Sequence, residues 1–184
     1  LPDCSPISDG AAALILVRDD TGGDFPQAVG FRAAVQVNDV MPMSRRDLLA
    51  FDGPTEVFRR AFESAGISIR DLDFAEVHDC FTVAELLIYE AMGLAPRGRG
   101  RAALDDGVVT ADGTLPVNLS GGLKAKGHPV GATGVSMHVM AARQLTGQAG
   151  AMQRKGASLG CVFNMGGTAV ANYCSILEPR RAGA

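Results

Sequence analysis

The stretch DFAEVHDCFTVAELLIYEAMG, residues 73–93, changes its periodicity halfway along. Its first five residues have the length and flanks of a strand. From Thr82 the apolar positions recur at helical spacing and stop at Gly93, the usual residue just past a helix end. A strand that runs into a helix is the building unit of α/β folds. At the junction stand His78, Asp79 and Cys80, in a chain with only three histidines and four cysteines.

The flanking sequence extends the alternation. Upstream, Asp52, Gly53 and Pro54 precede TEVFRRAFESAG, where Val57, Phe58, Ala61, Phe62 and Ala65 recur at three- and four-residue steps before Gly66. That pattern predicts an amphipathic helix. An extended stretch over residues 28–37 is closed by MPMS, and the apolar run in DGAAALILVRDD, residues 9–20, predicts a buried strand. Downstream, residues 94–122 are rich in Gly, Arg and Asp, with DDG and ADG turn signals, and predict an exposed excursion. Arg97, Arg99 and Arg101 could meet an anionic ligand there, although a charge run is more often a solvated loop. A third helix is expected from GHPVGATG to about Leu145, followed by two strands, ASLGCVFN and TAVANYCSILE, around MGG. The predicted class is α/β, a mixed sheet covered by helices in a βαβαβαββ-like order.

The totals exclude several functions. A chain of 184 residues supports one substantial core. A formal charge of −3 argues against a nucleic-acid partner. No apolar run reaches the roughly 18 to 20 residues that span a bilayer, and no basic-then-apolar leader opens the chain. The C-terminal EPRRAGA carries no Ser-Lys-Leu address. The four cysteines lack C-x-x-C spacing, so reduced thiols and a cytoplasmic location are expected, with no metal site.

Three constellations could carry chemistry. His78 and Cys80 lie where a strand gives way to a helix, and a positive helix end favours a thiolate over a thiol and a neutral imidazole over an imidazolium. Either residue alone reads more simply as core filler; their pairing at this junction admits chemistry. In KGHPVGATG, Pro129 restricts the backbone of His128, and Gly131 and Gly134 permit close approach at a helix start. This loop lacks the order of a nucleotide-binding glycine loop. In CVFNMGG, Asn164 and two glycines stand between two strands, in an ordinary hairpin turn or one whose N–H groups face an oxyanion. His138, inside the third helix, reads as packed or solvated.

Together these strings resemble the C-terminal part of a thiolase. SDGAAALILV resembles the strand ending the N-terminal thiolase half, GHPVGATG the family's histidine loop, and NMGGTAV its last glycine-rich turn. HDCF, residues 78–81, resembles the marker of the sterol-carrier-protein type, and the resemblance is to a sterol-carrier-protein-type thiolase or acetyl-CoA acetyltransferase. The resemblance implies residues 1–24 as the last strand region of the N-terminal half and 25–184 as the C-terminal domain. It implies Claisen condensation or cleavage of 3-oxoacyl-CoA, in fatty-acid or sterol side-chain breakdown, with coenzyme A as a substrate and no covalently bound cofactor. His128 would be an oxyanion donor that also activates the nucleophile, His78 would complete that oxyanion site, and Cys80 would be the acid/base.

Gly166, beside Asn164, would lend a backbone N–H to the acyl oxyanion. The family's usual acid/base cysteine falls where this chain has Asn164, which leaves Cys161 as an outside candidate. No counterpart of the nucleophilic cysteine is found, and Cys4 precedes a strand-like run rather than a helix. The implied partners are an acyl-CoA, an N-terminal thiolase half and further copies in a homodimer or tetramer; the fragment alone would be inactive. A retro-aldolase of the same superfamily, which would carry tyrosine at position 78 and lose Gly-His-Pro, and a non-catalytic acyl-CoA-binding scaffold are the competing readings.

Overall fold

The computed structural model describes residues 3–180. Residues 1, 2 and 181–184, which include most of EPRRAGA, lie outside the described residues. The chain runs through β1 (Val29–Asn38), α1 (Asp52–Ala65), β2 (Phe74–Val77), α2 (Thr82–Met92), α3 (Ala102–Asp105), α4 (Gly122–Lys126), α5 (Thr133–Leu145), β3 (Gly160–Gly166) and β4 (Ala171–Pro179). The four strands form one mixed sheet in the order β1-β4-β3-β2. β4 is antiparallel to both its neighbours, and β2 is parallel to β3.

Alternation along the strands sorts the core into two faces. Ala75, Val77, Cys161, Phe163, Cys174 and Ile176 point one way, into a cluster completed by Val57, Phe58 and Ala61 of α1 and by Ile88 and Met92 of α2. Phe74, Val162 and Leu177 point the other way, against Met137, Ala141 and Leu145 of α5. The sheet is therefore the middle of three layers. Phe163 and Phe58 lie at its centre, with ring centroids 4.7 Å apart. The helix stops are as the sequence implied: Gly66 (φ 64°) and Gly93 (φ 87°) take the left-handed conformation that terminates a helix.

Two expectations are corrected. Residues 10–18 form no strand; they run as exposed chain into a 3-10 turn at Asp19–Asp24, with Ile15 90% and Leu16 73% exposed. A strand exists only through a ladder, and among the described residues nothing pairs with this run. Residues 94–122 are less exposed than their composition suggested. Ala103 and Val109 pack with Tyr89, and Leu115 joins the main cluster. The arginines there follow the plainer expectation: all three are exposed, Arg97 pairs with Asp47 at 2.6 Å and Arg101 with Asp105 at 3.1 Å. Among the described residues no helix is long and apolar enough to cross a membrane.

Candidate active site

β2 is buried along its whole length and delivers His78, Asp79 and Cys80 to the sheet's end, where Phe81 caps α2. Each of the three is held differently. The Val77 N–H donates to Asn118 Oδ1 at 2.8 Å, which fixes the strand's exit. Asp79 turns back under the chain, where its carboxylate accepts the Leu123 N–H at 2.6 Å and the Lys124 N–H at 3.4 Å. It thereby supplies the first turn of α4 with an acceptor from a distant part of the chain. Gly122 (φ 62°) is required at this contact, because a Cβ there would run into the carboxylate.

α4 leads directly to Gly127 and His128. The His128 N–H donates to Pro6 O at 2.9 Å and the Ser5 N–H to Cys80 O at 2.9 Å, so residues 5 and 6 stitch the two histidine-bearing loops together. The imidazoles of His78 and His128 meet edge to face, perpendicular, with centroids 4.9 Å apart. Both rings are anchored through Nδ1. His78 Nδ1 lies 2.6 Å from Asn164 Oδ1, and an amide oxygen only accepts, so Nδ1 carries the proton. His128 Nδ1 lies 2.7 Å from Thr133 Oγ1, whose own hydrogen goes to Pro129 O at 3.2 Å. Each neutral ring therefore keeps its lone pair on Nε2.

Burial lowers the His78 pKa, assisted by His128 and opposed by the Asn164 hydrogen bond and by Asp79. The ring is neutral, as anticipated, but burial is the main cause. For Cys80 the expected acidification is overturned. Burial pushes its thiol pKa up, and the neighbouring Asp79 carboxylate adds to the rise. Cys80 precedes the capping residue and is half-buried beside a carboxylate, so the helix end does not win. Its resting form is the thiol.

His78, Cys80, His128, Asn164 and Gly166 all line one cavity of about 1090 Å³. Cys161 does not. It is fully buried in the core with α1, its Sγ 3.6 Å from that of Cys174, so the outside candidate forms no part of the cavity wall. Cys4 is exposed and bridges to Phe81. His138 lines the cavity wall but has both nitrogens engaged, Nδ1–H with Gly134 O at 2.7 Å and Nε2 with Ser175 Oγ at 3.0 Å. Gly166 opens a turn in which Gly167, Thr168 and Ala169 all have φ near +60°, a strained run for the two non-glycine residues. The sequence reading passed over Asp79 and Thr133, although both sit inside the quoted motifs; their task is positioning, which residue type alone does not reveal.

The thiolase C-terminal domain-like family matches residues 34–179. An acetyl-CoA acetyltransferase of Methanothermobacter thermautotrophicus is 43% identical over 170 residues, which cover 91% of this chain and 44% of the relative. Sterol carrier protein 2 of Homo sapiens is 40% identical over 171 residues, 89% of this chain and 31% of that protein. The chain thus spans less than half the length of these curated relatives. A solved chain of an Ltp2-ChsH2(DUF35) aldolase superposes with a TM-score of 0.72 at 22% identity, covering 82% of this chain and 39% of that one, a likeness of fold. From the mixed sheet with its helical layers and from these matches, the chain belongs to the thiolase C-terminal domain-like family.

Proposed function

We propose that this chain supplies the proton-moving side of a thiolase-type acyltransferase acting on 3-oxoacyl-CoA, with the nucleophilic cysteine provided by an N-terminal thiolase half. The observation that carries the reading is the perpendicular pair of imidazoles, 4.9 Å apart and both anchored through Nδ1, in a cavity shared with Cys80. In the cleavage direction, bare Nε2 of His128 takes the proton of the nucleophilic thiol. The thiolate then attacks the 3-oxo carbon, and the His128 imidazolium donates to the oxyanion. His78 completes the oxyanion site around the thioester oxygen when its ring proton moves from Nδ1 to Nε2. The carbon–carbon bond breaks, and the departing enolate takes the Cys80 proton. Coenzyme A passes its own thiol proton back to Cys80, and its thiolate attacks the acyl carbon, whose oxyanion the Gly166 N–H assists; the nucleophilic cysteine leaves as a thiolate and takes back the proton held by His128.

A raised thiol pKa suits this sequence, because the acid needed for enolate protonation must hold its proton at rest. Retention of both His78 and the Gly-His-Pro string favours this chemistry over a retro-aldolase. The expected working form is a cytoplasmic homodimer or tetramer containing both halves.

The test is the full-length protein, or this chain combined with an N-terminal half, assayed for CoA-dependent cleavage of acetoacetyl-CoA and longer 3-oxoacyl-CoAs. His128→Ala is expected to abolish turnover. Cys80→Ser is expected to remove proton exchange at the substrate α-carbon and spare acylation of the nucleophile. Unchanged exchange in the serine variant excludes Cys80 as the acid/base, and a failure of the complete protein to cleave any 3-oxoacyl-CoA excludes the activity.

A further inference from the structure

We propose that Asn164 is a positioning residue that sets the tautomer of His78, through whichever atom of its side-chain amide faces Nδ1. The proposal deepens the acyl-transfer reading and rests on it only for its use in the reaction.

The chemistry of the contact is binary. An amide oxygen offers lone pairs and an amide nitrogen offers hydrogens, so the atom that faces Nδ1 decides which ring nitrogen holds the single proton. With Oδ1 at 2.6 Å, the proton is on Nδ1 and Nε2 is an acceptor. With the amide turned over, Nδ2–H donates to Nδ1, the ring proton sits on Nε2, and Nε2 becomes the donor that an oxyanion requires. Charge and proton count are the same in both states; one proton leaves Nδ1 and one is taken up at Nε2.

The surroundings leave the amide able to turn. Among the described residues, its one side-chain hydrogen bond is to His78. Its other end lies over Gly134, where a Cβ would come within 2.9 Å of Nδ2, so the glycine keeps the space the amide needs. The groups around His78 are Asn164 from β3, His128 from the loop before α5, and its chain neighbours Asp79 and Cys80. At 5% exposure the ring lacks the water that would ease protonation, so shifting its proton is the accessible route to an Nε2–H.

His128 differs. Its anchor, Thr133, has already committed its hydrogen to Pro129 O, so His128 has one neutral tautomer and becomes a donor only by gaining a proton. The two rings would therefore make donors by different means, one by protonation and one by rearrangement. In a thiolase-type cycle this permits His78 to serve the enolate oxygen without competing for the nucleophile's proton.

The test is two-bond ¹H–¹⁵N spectroscopy of the histidine rings in this 184-residue chain, with Asn164→Asp and Asn164→Leu. In the wild type the His78 Nδ1 shift is expected to be mainly that of a protonated nitrogen. The aspartate, which has only acceptors, is expected to remove the Nε2–H tautomer of the neutral ring, read above the titration midpoint, and to raise that midpoint by about one to three pH units. The leucine, which has neither acceptor nor donor, is expected to increase the Nε2–H population. His138 signals should stay in place in both variants, which reports that they are folded. An identical His78 tautomer in all three proteins overturns the proposal, as does an Nε2–H wild type whose midpoint the aspartate leaves unmoved. No turnover is measured, so expected spectra beside an inactive full-length enzyme would reject the acyl-transfer reading alone.

Discussion

The contact between Asp79 and the start of α4 links the two histidine-bearing loops, and its energy can be worked from the geometry. Asp79 is 3% exposed and accepts one short bond, 2.6 Å from Leu123 N, and one long bond, 3.4 Å from Lys124 N. A hydrogen bond to a charged group contributes about 1.5–3 kcal/mol. With the long bond adding little, Asp79→Ala is expected to cost about 2–3 kcal/mol, or about 4–12 °C in Tm for a chain of this size. Gly122→Ala carries two costs. The left-handed backbone costs alanine about 1–2 kcal/mol, and the new methyl displaces the carboxylate and loses the same bonds, about 2–3 kcal/mol more. Once Asp79 is gone, only the backbone cost remains. The double variant is therefore expected to fall short of the summed single costs by about 2–3 kcal/mol. Urea denaturation of the four proteins with a common m value measures this directly. Costs that add to within about 0.5 kcal/mol would refute the contact as described.

Further outcomes follow from burial. The Glu76 carboxyl is pushed up by burial from its ordinary 4.5, against the opposing Ser120 hydrogen bond and Lys126 charge. The folded state thus binds this proton more tightly than the unfolded chain, and the stability it gives is full below 4.5 and lost as pH rises through the raised value. Glu76→Gln should flatten the fall in urea midpoint as pH rises above 4.5; parallel curves for variant and wild type would contradict this. Cys80 should be alkylated by iodoacetamide with a midpoint above the ordinary thiol value of about 8.5, and Asp79→Asn should lower it, as followed by peptide mass spectrometry. A wild-type midpoint below that value would show a thiolate at rest. Phe163→Ala removes a fully buried ring stacked on Phe58 and should cost about 3–5 kcal/mol by denaturation; a cost under about 1 kcal/mol would mean that the core centre lies elsewhere.

The elements that carry their own signals were legible. α1 and α2 have apolar recurrence and a terminal glycine, and β3 and β4 flank a glycine turn. Residues 10–18 were misread because an apolar run states only a preference for burial, while a strand also needs a partner for its backbone. α4, five residues long, has no periodicity to read; it is defined by an acceptor forty-odd positions upstream. The same division applies to the site. His78, Cys80 and His128 stand out by type, and their convergence was implied by resemblance alone. Which nitrogen each ring presents depends on Asn164 and Thr133, and the acidity of Cys80 depends on how deeply the loop sinks and on Asp79. Burial and orientation are products of packing, and no spacing rule encodes them.

The ties made by Asn118 and Asp79 fix both ends of the peptide that climbs to His128. Val117 bridges to Ala75, Asn118 grips the exit of β2, and α4 rests on Asp79. The outer bend around residues 110–114, beyond buried Val109 and Leu115, hangs from these fixed points. Residues added or removed at its tip are then expected to leave the imidazole spacing unchanged.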